Sequence, residues 1–357
     1  MTGAESVLIT AAHAGVEMCF ANPGTTELPL VAALDQLREI RPVLCLFEGV
    51  CTGAADGYGR VKGKPAMTIL HLGPGLANGI ANLHNARRAR TPVVNIVGEH
   101  TTWLKPHDPP LNMDIEGLAK AIPGWQKQSE SADELSADTA WAICNSLYGQ
   151  VSTLIVLADI QSALVGAGQI TAREFAFNPV SEEMMPHAVS IIQEAANPAL
   201  ILGGRALGRK GLEAAAQIKA KSGCDLIMMT FPSLFEAGAG LPVLKRIPYF
   251  PDEARKLLKK YDAFILVGAG EPTAFFGYSD GIISLLPDKA PRLRLDTNRQ
   301  DAAEVLRELS LALGPEAPSG ELKAVLARPD IPHLPAGRLD AVSLCAAIAA
   351  LQPEECI

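Results

Sequence analysis

The sequence lacks the short motifs that announce several common chemistries. It has no GxxxxGKS/T phosphate loop, no HExxH pair for zinc and no GxSxG turn to present a serine nucleophile. Its seven cysteines, at positions 19, 45, 51, 144, 224, 345 and 356, include no CxxC pair. An odd set of isolated cysteines, mostly in apolar stretches, argues against a zinc ribbon or a disulfide framework. It reads as reduced, packing cysteine in a cytoplasmic protein. No apolar run reaches the ~18 residues of a membrane span. The start, MTGAES, has neither a basic nor an apolar signal region, so secretion is not expected. Basic residues are also in deficit, with 31 Lys plus Arg against 39 Asp plus Glu and a net charge of -8. That balance speaks against nucleic acid or an anionic membrane as partner.

What is present is an ordinary globular composition, 48% hydrophobic over 357 residues. At about 150 residues per domain this predicts two domains, each with a core large enough to fold without a metal or disulfide staple. Residues 1–160 alternate helix-period and strand-like segments. Helices are expected over 6–15, 26–37, 49–61, 76–88 and 132–147, and strands over 16–21, 43–47, 67–72, 92–97 and 153–158. Strands that are apolar throughout and separated by helices imply a parallel sheet covered on both faces. A linker is expected near 160–179. A second α/β run then begins, with strands over 199–202, 225–229, 263–267 and 292–296 and helices over 181–196, 210–222 and 252–261. A polar, proline-rich linker over 314–338 leads to an amphipathic helix at 340–351. The fold class predicted is α/β, with two doubly wound parallel-sheet domains.

Ligands of such sheets bind beyond the carboxyl ends of the strands. Three segments place unusual residues there: Asn22-Pro23-Gly24-Thr25, then Glu48 behind Leu44-Cys45-Leu46-Phe47, then His71 ahead of Gly73-Pro74-Gly75. A carboxylate behind an apolar strand is expected to be desolvated, which raises its pKa, while the positive end of the next helix favours the anion. Glu48 therefore reads either as a plain first-turn helix acid or as a functional group. His71 reads either as a hydrogen-bonded core histidine or as a proton carrier. Glycines 73, 75 and 79 permit close approach of a ligand or simply a tight turn. The cations Arg87, Arg88 and Arg90 suit a helix C-terminus, in a solvated or interfacial role. Gly268-Ala269-Gly270-Glu271 opens like a dinucleotide fingerprint, but its third glycine is misplaced. A nicotinamide oxidoreductase ranks last among the readings.

These segments together resemble a family. Asn22-Pro23-Gly24-Thr25-Thr26-Glu27-Leu28-Pro29, Phe47-Glu48-Gly49 with Ala54-Ala55-Asp56-Gly57-Tyr58, and His71-Leu72-Gly73-Pro74-Gly75-Leu76-Ala77-Asn78-Gly79 follow one another as in thiamine-diphosphate-dependent enzymes. The acetolactate synthase large subunit-like proteins are the nearest group, and benzoylformate decarboxylase is a near relative. The resemblance implies a pyrimidine-binding domain over residues 1–163 and a central, Rossmann-related domain over 180–335. It implies a linker helix and the start of a diphosphate-binding domain over 336–357. Glu48 then matches the glutamate that hydrogen-bonds the aminopyrimidine and favours its imino tautomer. His71 matches an active-site histidine of the decarboxylases, and Thr25 stands where they carry a serine. Pro23, Gly24, Gly73, Pro74 and Asn78 fall among the cofactor-binding positions. Phe276 stands where the decarboxylases have a second histidine, a departure that weakens an aromatic 2-oxo acid assignment.

The family's Gly-Asp-Gly, which with a later asparagine holds Mg2+ and the diphosphate, is absent. The chain therefore reads as lacking that domain. By resemblance the substrate is a small 2-oxo acid, the cofactor is thiamine diphosphate with Mg2+, and the assembly is a homodimer or tetramer. FAD in the central domain is permitted, but no residue calls for it. The alternative is a non-catalytic truncated subunit or assembly module that pairs with a complete partner.

Overall fold

The computed structural model describes residues 1–166, 170–279, 281–328, 331–353 and 356. Two all-parallel sheets organise them. The first contains β1 (Met18–Asn22), β2 (Arg41–Leu44), β3 (Ala66–Leu70), β4 (Val93–Glu99), β5 (Trp125–Gln128) and β6 (Val151–Leu157), in the order β2-β1-β3-β4-β6-β5. The second contains β7 (Pro198–Leu202), β8 (Asp225–Met228), β9 (Lys245–Arg246), β10 (Ala263–Val267) and β11 (Arg292–Arg294), in the order β11-β10-β7-β8-β9. Central strands β3, β4 and β6 are buried along their whole length, as parallel strands covered by helices must be. The winding reverses between β1 and β3 in the first sheet, which also turns back from β5 to β6, and between β7 and β10 in the second. A crevice opens at the carboxyl ends of the strands at such a reversal.

Where sequence and structure part, the cause is local. The expected strand over 43–47 is shorter and earlier: β2 ends at Leu44 because β1, its partner, ends one residue past their last paired position, Ala21–Leu44. It is also an exposed edge, with Leu44 73% and Leu46 93% accessible, so the rule of strands covered on both faces fails here. Strands β5 and β9 are polar edge strands that carry no apolar signal to read. The helix Ala302–Ala312 is amphipathic, capped by Asp301, and buries Val305, Leu306 and Leu309. It lies in a stretch to which sequence analysis assigned nothing. The last helix, Ala341–Leu351, is apolar all round rather than amphipathic, and none of its residues is buried. The cysteine reading fits for positions 19, 45, 51 and 224, which are buried free thiols, whereas Cys345 and Cys356 are exposed.

The linker between the sheets is pinned by rings. Tyr148, Phe175 and Phe177 pack edge to face at 4.8–6.0 Å between centroids. The guanidinium of Arg299 lies over Tyr148 and that of Arg205 over Phe177. The second domain is tied by a polar knot at Asp225, which accepts from Lys219 at 2.7 Å, Lys245 at 2.6 Å and Tyr261 at 2.8 Å. Burial pushes this carboxyl up, but the three donors outweigh it and hold it well below the usual carboxylate range. A depressed folded-state pKa stabilises above the unfolded value of about 4, and the contribution fades as pH falls through the folded one. Asp225→Asn is therefore expected to cost about 1–2 kcal/mol at pH 7, with the gap to wild type shrinking below about pH 4. Urea midpoints of both proteins across that range check the sign.

Candidate active site

The reversal between β1 and β3 brings the predicted segments together. Asn22 ends β1 and Leu70 ends β3, in adjacent register, so Pro23-Gly24 and His71 leave the sheet side by side. Gly24 is needed there, because a β-carbon on it would lie 2.3 Å from the His71 ring. A short 3-10 turn, Thr25–Glu27, then drops the Glu27 side chain into the interior, where it is fully buried. Glu27 accepts from the Gly24 amide at 2.8 Å and from the Thr26 hydroxyl at 2.5 Å, and one of its oxygens lies 2.7 Å from His71 Nδ1. Thr25, the predicted hydroxyl, is exposed on this turn; the threonine that reaches His71 is Thr26, at 3.2 Å. Leu72, next to His71, is buried in the left-handed region at φ 52, a strained conformation for a residue with a branched side chain.

Glu48 stands a few ångströms along the same rim, at the first position of the helix Glu48–Lys62. It is half-buried rather than desolvated, because the apolar residues beside it are on the outside: Leu46, Phe47 and Val50 are all at least half accessible. Its Oε2 accepts from Asn78 Nδ2 at 3.0 Å. Its Oε1 faces Gly75, where a β-carbon would approach to 3.2 Å, so the glycine leaves that oxygen open. Asn78 and Gly75 lie on the helix Leu72–Ala89, which packs closely on Glu48–Lys62 through small residues. Thr52 donates to the Gly79 carbonyl at 3.0 Å, and Asn82 to that of Gly49 at 2.7 Å. A cavity of about 490 Å³ opens between these helices, lined by Phe47, Val50, Asn78 and Asn82 among others. Gly73 is covered by Met113, whose side chain a β-carbon there would strike. Burial pushes the Cys51 thiol up, and Cys45 and Glu48 add to it, so this cysteine stays protonated beside the carboxylate.

Of the predicted residues, the structure brings Glu48 to Asn78 and Gly75, and His71 to Gly24. Glu27 and Thr26 were not among the predicted site residues, although a carboxylate three residues after Gly24 has the spacing of a capping residue. Nor was Glu99, which is fully buried at the end of β4 and ion-paired with Lys105 at 3.1 Å. Beyond it, His100 Nε2, Thr101 Oγ1 and Asn112 Oδ1 are buried without a hydrogen-bond partner. The arginine cluster divides. Arg88 is exposed, whereas Arg90 is partly buried and lines a larger crevice of about 610 Å³ between the domains, beside Arg205 and Asp296. Burial pushes the Arg90 guanidinium down, and nearby Arg294 adds to this. Among the described residues no group of three or more His, Cys, Asp or Glu could hold a metal ion. No helix among them is long and apolar enough to cross a membrane.

Paired carboxylate sites at the strand reversal of a parallel sheet, followed by a second parallel-sheet domain, define an α/β protein built to hold a ligand at its strand ends. Residues 1–118 match the family described as thiamine pyrophosphate enzyme, N-terminal TPP binding domain. The acetolactate synthase large subunit-like protein IlvX of Mycobacterium tuberculosis is 40% identical over the whole chain, which covers 68% of that protein. Benzoylformate decarboxylase of Pseudomonas aeruginosa is 28% identical over 53% of this chain and 37% of its own length. In structure, the chain is similar to a thiamine diphosphate-dependent 4-hydroxybenzoylformate decarboxylase of Rhodococcus jostii. The TM-score is 0.82 at 21% identity, covering 100% of this chain and 70% of that one. The chain belongs to the thiamine-pyrophosphate-dependent enzyme family, among its acetolactate synthase large subunit-like members. It spans about two thirds of the first of these curated relatives and 37% of the second.

Two glycines, one inside this site and one outside it, give a test of opposite signs. Gly24→Ala must displace the His71 ring and is expected to cost about 1–3 kcal/mol. Gly57→Ala, inside a helix with nothing near its β-carbon, is expected to stabilise by about 0.5–1 kcal/mol. Urea unfolding of the two variants beside wild type measures both.

Proposed function

We propose that this chain supplies the pyrimidine-activating half of a thiamine diphosphate site that decarboxylates and joins small 2-oxo acids. The observation that carries the reading is the Glu48 carboxylate, with one oxygen fixed by Asn78 and the other left open above Gly75. Such a group suits an aminopyrimidine, whose ring nitrogen needs one carboxyl oxygen with which to share a proton. Pro23, Gly24, Gly73, Pro74 and Asn78 are assigned as the cofactor-binding positions. Glu48, His71 and Thr25 are the residues assigned to the chemistry.

When bound, thiamine diphosphate supplies an electron sink for the carbanion left as CO2 departs. Glu48 holds the shared proton at its free oxygen. Asn78 keeps that oxygen aimed by occupying the other one. His71, partly exposed, takes or gives a proton at the substrate oxygen, and Thr25 offers a hydroxyl on the outer side of the Thr25–Glu27 turn. Full function of Glu48 requires that water be excluded from it, and the exposed Leu44, Leu46, Phe47 and Val50 beside it form an apolar face suited to a covering subunit. A homo-oligomer, dimer or tetramer, fits that face.

Two further points rest on the missing Gly-Asp-Gly. By resemblance, Mg2+ and the diphosphate would be held by a domain carrying that motif, and the chain by itself would be inactive. The same observation favours a second reading, a non-catalytic assembly module that pairs with a complete partner. The reaction needs no flavin. If the central domain holds FAD, the crevice between the domains is the place with room for it.

In the assembled enzyme, Glu48→Gln is expected to lower turnover of a 2-oxo acid by at least about 100-fold. Release of CO2 from pyruvate or benzoylformate by the two proteins is the measurement. Turnover near the wild-type rate in the variant overturns the catalytic reading, and an assembly in which wild type itself is inert favours the module.

A further inference from the structure

We propose that Glu27 is a positioning residue that fixes His71 in one tautomer, with its Nδ1–H held inward on the carboxylate and Nε2 left as the reactive nitrogen. Only the use made of Nε2 rests on the thiamine reading; the positioning stands on contacts within this chain.

Glu27 is fully buried, and a buried carboxylate is tolerated only where donors compensate its charge. Glu27 has three. The Gly24 amide gives its hydrogen to Oε2 at 2.8 Å, Thr26 gives its hydroxyl hydrogen to Oε1 at 2.5 Å, and His71 Nδ1 lies 2.7 Å from Oε2. An ionised carboxylate only accepts, so the third contact is satisfied when Nδ1 carries the proton. In the competing arrangement Thr26 would donate to Nδ1 at the longer 3.2 Å, with the ring proton on Nε2. That would set a nitrogen lone pair against a carboxylate oxygen and take from Oε1 its short partner. The charge-assisted arrangement wins on both distances.

The surroundings are shaped for this contact from three strand ends. Behind β1, Gly24 leaves the space that the imidazole fills. Behind β3, Leu72 turns the chain at φ 52 immediately after His71. In β4, Gly98 makes room for Glu27, since a β-carbon there would sit 1.7 Å from Oε1. Three separate accommodations around one pair mark a fixed orientation rather than an incidental contact.

Nε2 has no protein partner among the described residues, and the His71 side chain is 22% exposed, against none for Glu27. When Nε2 takes a proton from a substrate hydroxyl, the ring becomes an imidazolium whose charge Glu27 stabilises without itself being protonated. The same proton returns to a substrate oxygen from Nε2, so the pair ends each cycle as it began.

The test uses the full chain labelled with 15N-histidine and free of cofactor. Two-bond 15N–1H correlations at about pH 8 report which ring nitrogen is protonated. The His71 signal is identified by its loss in His71→Gln. In wild type, Nδ1 is expected to carry a proton, whether or not Nε2 does; a ring protonated on Nε2 alone overturns the proposal. In Glu27→Ala the proton is expected to move to Nε2, with Thr26 donating to Nδ1. A pattern identical to wild type overturns it as well. If Glu27→Ala does not fold, the wild-type spectrum decides alone. No thiamine enters the experiment, so its result and that of the catalytic reading can fail separately.

Discussion

The winding of the first sheet reverses between β1 and β3, and everything assigned to the site hangs on that reversal. Two neighbouring parallel strands end together there, and their chains turn off in opposite directions, which opens a crevice at the strand ends. Pro23-Gly24 emerges from one strand and His71 from the other, held in register by the ladder behind them. Parallel sheets cannot shift such a register cheaply, because β1, β3 and β4 are hydrogen-bonded on both sides. The rigidity of the core is thereby passed directly to the groups at its rim.

Two carboxylates occupy that rim in unlike settings. Glu27 is buried, accepts from the Gly24 amide and the Thr26 hydroxyl, and lies against the His71 imidazole. Glu48 is half-buried, is fixed at one oxygen by an amide, and keeps the other oxygen open. The first is complete within the chain. The second sits beside an apolar face that solvent covers in the isolated chain. The contrast separates a preorganised pair from a group whose apolar surroundings lie open to solvent in the isolated chain. It also accounts for Glu48 not being desolvated, as the apolar residues ahead of it in sequence had suggested.

Much of this was legible in the sequence. The alternation of apolar strands and helices marked both sheets, and the ordered segments around Gly24, Glu48 and His71 marked the rim. What escaped was what depends on three dimensions or lacks an apolar signal. Glu27 looks like one more residue of a turn until Gly24, Gly98 and His71 are brought around it. The edge strands Trp125–Gln128 and Lys245–Arg246 carry no run of apolar residues. Cys45, Leu46 and Phe47 look like a strand but run past the end of their partner, so the last two are exposed in a loop. Thr25 and Thr26 are indistinguishable by composition, and only the turn between them and Glu27 decides which one meets the histidine.

The central claim is that this chain holds the pyrimidine half of a cofactor site and not the diphosphate half. Isothermal titration of the purified chain with thiamine diphosphate, with and without magnesium, tests it most directly. The account predicts no magnesium-dependent binding, because the sequence carries no Gly-Asp-Gly to hold the metal and the diphosphate. Tight, saturable binding that requires magnesium would contradict it and would place a complete site within these 357 residues.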